Sequence, residues 1–99
     1  MNVVFRLQGS EFEWDSMKAT SNLEKHGVGF EEAAEVFFDP FCQYGDATPD
    51  GVEEVRDFAL GYSTTQRLVL VVSTERGDRT RIISARPATT NERKQYESA

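Results

Sequence analysis

The 99 residues hold one cysteine, one histidine and three prolines, and positive charge is scarce. The lone Cys42 excludes an internal disulfide and a cysteine-built metal site. It follows the helix-stopping pair Asp39-Pro40, and nothing nearby in sequence would lower its pKa, so it reads as a packed or loop thiol and not a nucleophile. The single His26 has no carboxylate or second histidine at ligand spacing, so neither a metal nor a cofactor is expected. No apolar run approaches the roughly 20 residues that span a bilayer. Met1-Asn2-Val3-Val4-Phe5-Arg6-Leu7 lacks a basic start followed by an apolar core and does not read as a signal peptide. The expected compartment is the cytoplasm, with no membrane partner.

Eleven Lys and Arg face seventeen Asp and Glu, a net charge of −6. That balance argues against binding nucleic acid through the overall field. The charge is uneven. Residues 1–52 hold 3 basic and 10 acidic side chains, and residues 53–99 hold 8 and 7. Between 76 and 94, Arg76, Arg79, Arg81, Arg86, Arg93 and Lys94 outweigh Asp78 and Glu92. This is either a basic patch on an acidic body or a salt-bridged strand and helix face.

The length fits one domain over residues 1–99. Val3–Leu7 alternates weakly and reads as an edge strand, an extra strand or a non-native extension before Gln8-Gly9-Ser10. Phe12-Glu13-Trp14 reads as a strand with Phe12 and Trp14 on one face. Asp15 stands where an N-cap accepts orphan N–H groups, and Gly27 where a left-handed residue stops a helix. Residues 16–26 are therefore the first helix. Phe30, Ala33, Ala34 and Phe37 form an apolar stripe through a second helix at 31–38, ended by Asp39-Pro40. Residues 41–53 carry turn chemistry and read as a loop.

Three strands follow: Val55–Tyr62, Arg67–Ser73 and Arg79–Ala85. The run Leu68-Val69-Leu70-Val71-Val72 suits a central strand buried on both faces. Thr89-Thr90-Asn91-Glu92 is a capping box before a short final helix. The order β-α-α-β-β-β-α predicts an α+β fold with an antiparallel sheet.

Several segments carry a resemblance. They are Phe12-Glu13-Trp14-Asp15, Asn22-Leu23-Glu24-Lys25-His26-Gly27-Val28, Val36-Phe37-Phe38-Asp39-Pro40, Arg56 with Gly61, Leu68–Gly77, and Arg81–Thr89 with Glu92-Arg93 and Tyr96. In this order and spacing the chain resembles the BrnT family of type II toxin–antitoxin toxins. The resemblance implies a RelE-like fold, metal-independent RNA cleavage that inhibits translation, and neutralisation by a BrnA-type antitoxin. It also implies that the chain reaches operator DNA only through that antitoxin, with a dimer of toxin–antitoxin pairs as the expected assembly. The family's tail is commonly richer in Lys and Arg than Pro87, Thr90, Asn91, Gln95 and Ser98 allow here. That departure suits the other reading, a catalytically weak antitoxin-binding module acting as transcriptional co-repressor.

Attack of a 2′-hydroxyl on RNA phosphorus needs help with proton removal, cations for the phosphorane and an acid for the leaving oxygen. The candidate cations are Arg56, Arg81 and Arg86, whose forked guanidinium groups match phosphate. Arg56 has Glu53, Glu54 and Asp57 as rival partners. Arg81 and Arg86 lie on opposite faces of an unbroken strand, so only a bulge brings both to one side; Arg86, at the strand end where active sites gather, is the expected phosphorane stabiliser, with Arg56 assisting. The candidate proton carriers are His26, Glu75 and Tyr96. His26 equally serves as a helix C-terminal cap. Glu75 reads first as hairpin turn chemistry, and the Tyr96 ring has packing on the sheet as its rival role. Trp14 reads as core; Lys18, Asn22 and Lys25 read as an exposed helix face.

Overall fold

The computed structural model describes residues 1–99. Two strands, β1 (Asn2–Leu7) and β2 (Ser10–Asp15), form a hairpin closed by Gln8 and Gly9. Both turn residues have positive φ, 49° and 82°, which matches the right-handed twist of the strands they join. Asp15 then caps α1 (Ser16–His26) by accepting the Lys18 N–H at 3.0 Å. Gly27, at φ 70°, ends it with its N–H on the Leu23 carbonyl. The second helix, α2 (Phe30–Glu35), starts one residue early and tightens into a 3₁₀ turn at Val36–Phe38.

The rest is β3 (Gln43–Asp46), β4 (Asp57–Tyr62), β5 (Leu68–Arg76), β6 (Arg79–Pro87) and α3 (Thr90–Glu97). The capping box at Thr89 and Glu92 forms as the spacing predicts. The six strands make one sheet in the order β1-β2-β6-β5-β4-β3. Residues 68–76 lie inside it, between β4 and β6.

The fold is α+β, and two details correct the sequence reading. The sheet is antiparallel except at one junction: β2 runs parallel to β6 from Glu11 beside Arg79 to Glu13 beside Arg81. Parallel neighbours need a crossover, here residues 16–78, and no local pattern reveals it. The second correction is β3, which lies in the segment read as a loop. Its Gly45 and Asp46 are poor strand formers, but the edge of β4 offers four residues of pairing, and tertiary context prevails.

One face of the sheet packs on α1 and α2. Phe12, Trp14, Val69, Val71, Ile82 and Ala85 from the strands meet Phe30, Ala33 and Ala34 from α2. The Trp14 and Phe30 rings meet edge to face at 5.8 Å. The other face carries charge beneath β1, β2 and β6, and an apolar strip near α3.

A bulge in β6 sets which residues share that outer face. Val72 pairs with Ser84 and Ser73 with Ile82, so Ile83 has no partner. Ile82 and Ala85 consequently both point into the core although three positions apart. Arg81 and Arg86 therefore share the outer face, the exception that the sequence parity left open. They sit opposite Thr74 and Leu70, four residues apart on β5, or roughly 13 Å.

Candidate functional site

The six candidate residues do not converge on one cleft. Arg86 stands near the end of β6, where α3 passes over the outer face. Its two terminal nitrogens donate to both Glu92 oxygens at 2.7 and 2.8 Å, a forked pair. The pair with Arg86, opposed by burial and aided by the Thr89 N–H, pulls the Glu92 carboxyl down to about 2. The same contact holds the Arg86 guanidinium more firmly charged.

Tyr96 lies one turn further along α3. Its hydroxyl donates to Asp39 Oδ2 at 2.6 Å. Burial, then the Asp39 charge, pushes the phenol pKa up. Asp39 also accepts the Tyr62 N–H at 2.8 Å and the Phe41 N–H at 2.9 Å. Burial works against its charge, yet these three bonds together hold its carboxyl below the usual range. Gly61 makes the approach possible: a Cβ there would lie 3.1 Å from both Asp39 Oδ2 and the Val36 carbonyl. The Tyr62 and Tyr96 rings meet edge to face at 5.3 Å, and Arg93 donates to the Tyr62 hydroxyl at 3.1 Å. No residue of α3 is buried, so polar latches at Glu92, Arg93, Gln95 and Tyr96 fasten it.

Arg81 donates to Glu13 at 2.6 Å and to Asn2 at 2.7 Å. Glu75, beside the β5–β6 turn, accepts the Thr80 hydroxyl at 3.2 Å. Arg56 differs from both. Its backbone N–H donates to the Thr48 hydroxyl, and its carbonyl accepts the Ala47 N–H. Its guanidinium pairs with none of Glu53, Glu54 or Asp57; Glu54 is taken by Arg76. Its Nε is buried and has no hydrogen-bond partner.

His26 lies elsewhere. It ends α1 and lines an open groove of about 300 Å³ with Lys18, Lys25, Ile83 and Ser84. Asn22, read as part of an exposed face, is instead buried. Its amide donates to the Val28 and Ala85 carbonyls and accepts the Ala85 N–H at 3.1 Å. It thus seals the β6 edge that β2, which pairs only up to Arg81, leaves open. A polar, weakly helix-forming residue amid inward positions of α1 was the available signal. Trp14 is core, as read. Cys42 is half-buried, and burial pushes its thiol pKa up, as suits a packed residue.

Four of the six basic residues in 76–94 are ion-paired, and Arg93 and Lys94 are not. Arg76 meets Glu54, Arg79 meets Glu11 and Glu13, Arg81 meets Glu13, and Arg86 meets Glu92. No three His, Cys, Asp or Glu side chains group as metal ligands.

Against this geometry, the comparisons define a class first. Residues 14–92, from within β2 to the first turn of α3, match the family described as "Ribonuclease toxin, BrnT, of type II toxin-antitoxin system". The class is that of ribonuclease toxins from type II toxin–antitoxin pairs. The chain belongs to the BrnT family. Its structure is similar to the 1.1 Å crystal structure of the Brucella abortus ribonuclease toxin BrnT, with a TM-score of 0.61 and 22% identity. That alignment covers 78% of this chain and 94% of the other, and at this identity it speaks for the fold. No curated protein matches the chain.

Proposed function

We propose that the chain is an endoribonuclease that cuts RNA without a metal, stops translation in the cytoplasm, and is silenced by a BrnA-type antitoxin. One observation carries the catalytic part. Of the eight arginines, Arg56 alone donates no side-chain hydrogen bond within the protein, and its buried Nε is unpartnered. A guanidinium whose terminal nitrogens are free of protein partners has its fork open to a phosphate oxygen. In the reaction, the 2′-oxygen attacks phosphorus as its proton passes to a base, and the P–O5′ bond breaks as the leaving oxygen takes a proton. The products are a 2′,3′-cyclic phosphate and a 5′-hydroxyl. Arg56 stabilises the phosphorane charge; His26, which does not share its cleft, contacts the substrate elsewhere. Arg86 joins only when its pair with Glu92 opens.

The test is cleavage of a labelled RNA by purified protein, with and without a chelator. Cleavage is expected in both. Arg56→Ala is expected to cut the rate about 100- to 1000-fold, as loss of a preorganised charge donor does. Arg56→Lys restores part of it, because an ammonium lacks the fork.

The antitoxin part rests on family membership and on the apolar strip beside α3. Phe58, Leu60, Leu70 and Val72 line about 190 Å³ there. Co-expression with the neighbouring gene product should yield a stable complex, and a lone monomer that ignores that product counts against it. The co-repressor reading is favoured by Arg86 and Tyr96 both being held by carboxylates. It takes over if no RNA is cut even beside translating ribosomes and Arg56→Ala changes nothing in cells.

A further inference from the structure

Five of the eleven basic side chains have no carboxylate partner: Lys18, Lys25, Arg56, Arg93 and Lys94. Two of these five, together with the only histidine, line the single groove between α1 and the β6 bulge. No Asp or Glu lines it. Glu24, the acidic neighbour on the helix, faces the next groove. In a chain of net charge −6, a groove with cations and no carboxylate is the exception.

The spacing is ordered. Lys18, Ser21, Asn22, Lys25 and His26 stand at i, i+3, i+4, i+7 and i+8, one face of a helix. Lys18 and Lys25 are about 10 Å apart along the axis, roughly the rise of three stacked nucleotides. The opposite wall is Ile83 and Ser84, where the bulge breaks β6. Buried Asn22 fixes the helix to that wall through both backbone groups of Ala85. The groove is therefore rigid at its floor and cationic at its rim.

We propose that this groove holds the phosphodiester backbone of single-stranded RNA, Lys18 and Lys25 each meeting a phosphate and His26 standing at the end of the track. The assignment rests on the ribonuclease reading and adds where the substrate lies. It moves Lys18 and Lys25 from solvated surface to substrate contacts. It gives His26, which sits away from the arginines of the outer face, a contact with the RNA backbone remote from the scissile phosphate. The hydroxyls of Ser21 and Ser84 are further donors for phosphate oxygens.

The experiment is anisotropy titration of a fluorescent, 2′-O-methylated single-stranded oligoribonucleotide across a range of salt. The 2′-O-methyl groups block cleavage, so only binding is read. Each lysine contact is expected to contribute about 0.7 to the slope of log K against log salt. Lys18→Ala and Lys25→Ala should each lower the slope by about that amount and weaken binding several-fold. Lys94→Ala, an unpaired lysine on α3, is the control and should change neither. Melting temperatures of all three should match the parent.

If the parent binds the RNA and both groove variants bind it equally well, the assignment fails while the nuclease reading stands. If the parent neither binds nor cuts RNA, the nuclease reading falls and the groove assignment falls with it. If the groove variants keep RNA but lose the co-expressed antitoxin, the groove belongs to an acidic protein partner, and the assignment is overturned.

Discussion

The two faces of the sheet are built by different rules. The inner face is dry: Phe12, Trp14, Ile82, Val69 and Val71 close against Phe30, Ala33 and Ala34. The outer face below β1, β2 and β6 is a ladder of alternating charges, Arg6, Glu11, Glu13, Arg79 and Arg81. Burial of apolar area stabilises the first at roughly 25 cal/mol per Å². The second gains little net energy at its exposed end, where Arg6 is solvated and screened, and more where Glu13 is buried. The inner face holds the chain together. The outer face fixes which arginines are neutralised and so which cations remain available.

The largest effect is expected from a cavity in the inner face. Phe30 is fully buried and meets Trp14 edge to face. Phe30→Ala is expected to lower stability by about 3–5 kcal/mol, read from urea denaturation. A loss under 1 kcal/mol would mean that the inner face is not the core that organises the fold.

Asn22 is the next test, because it is a buried polar side chain on the dry side. Asn22→Ala leaves the Ala85 N–H, the Ala85 carbonyl and the Val28 carbonyl without their partner. Unmade buried hydrogen bonds cost about 1–3 kcal/mol. The expected loss is about 2–3 kcal/mol, with faster hydrogen exchange at Ala85. A variant as stable as the parent would show that water reaches the β6 edge and replaces the amide.

These differences explain what was legible. The inner face follows local periodicity: Phe30, Ala33 and Ala34 keep helical spacing, and Phe12 and Trp14 keep strand spacing. Caps at Asp15, Gly27 and Thr89 are local too, and each formed where its residue type placed it. The outer face depends on partners far apart in the chain. Arg79 and Arg81 lie 68 positions from Glu11 and Glu13, respectively, joined through a parallel junction that has no local sign. For the same reason the Arg86–Glu92 fork was hidden: both residues were read separately, one as a cation and one as a helix cap. The groove beside His26 needed the bulge at Ile83 and the clamp at Asn22, and neither shows in a pattern of apolar and polar letters.

Acid titration tests the ion-paired carboxylates. Arg67 first, then Ser63 and Thr65, outweigh burial and hold the Glu32 carboxyl down to about 2, and Arg86 does likewise for Glu92. Both pKa values lie below the usual 4.5. A carboxyl depressed in the folded state stabilises it above the unfolded pKa. That stabilisation is lost as pH falls from about 4.5 to about 2. Unfolding free energy should therefore drop through that window, less steeply in Glu32→Gln and Glu92→Gln. Identical slopes in all three proteins would show that neither carboxyl is held by its arginine once folded.

The smallest effect is expected at the exposed end of the ladder. Arg6 donates to Glu11 at 2.8 Å, but 76% of its side chain is exposed on the edge strand. Glu11 keeps Arg79 when Arg6 is lost. Arg6→Ala should change stability by under about 0.5 kcal/mol, and what change there is should vanish by 1 M salt. Arg81→Ala should cost more, because Arg81 is 22% exposed and its partner Glu13 11%. Glu13 would retain only Arg79, at 3.6 Å. The gradient from Arg6 to Arg81 thus follows burial and not the number of ion pairs. Equal costs at the two positions would mean that the ladder acts as one cooperative network. The outer face would then be as structural as the inner one, and its arginines would be less available to a substrate than their charge suggests.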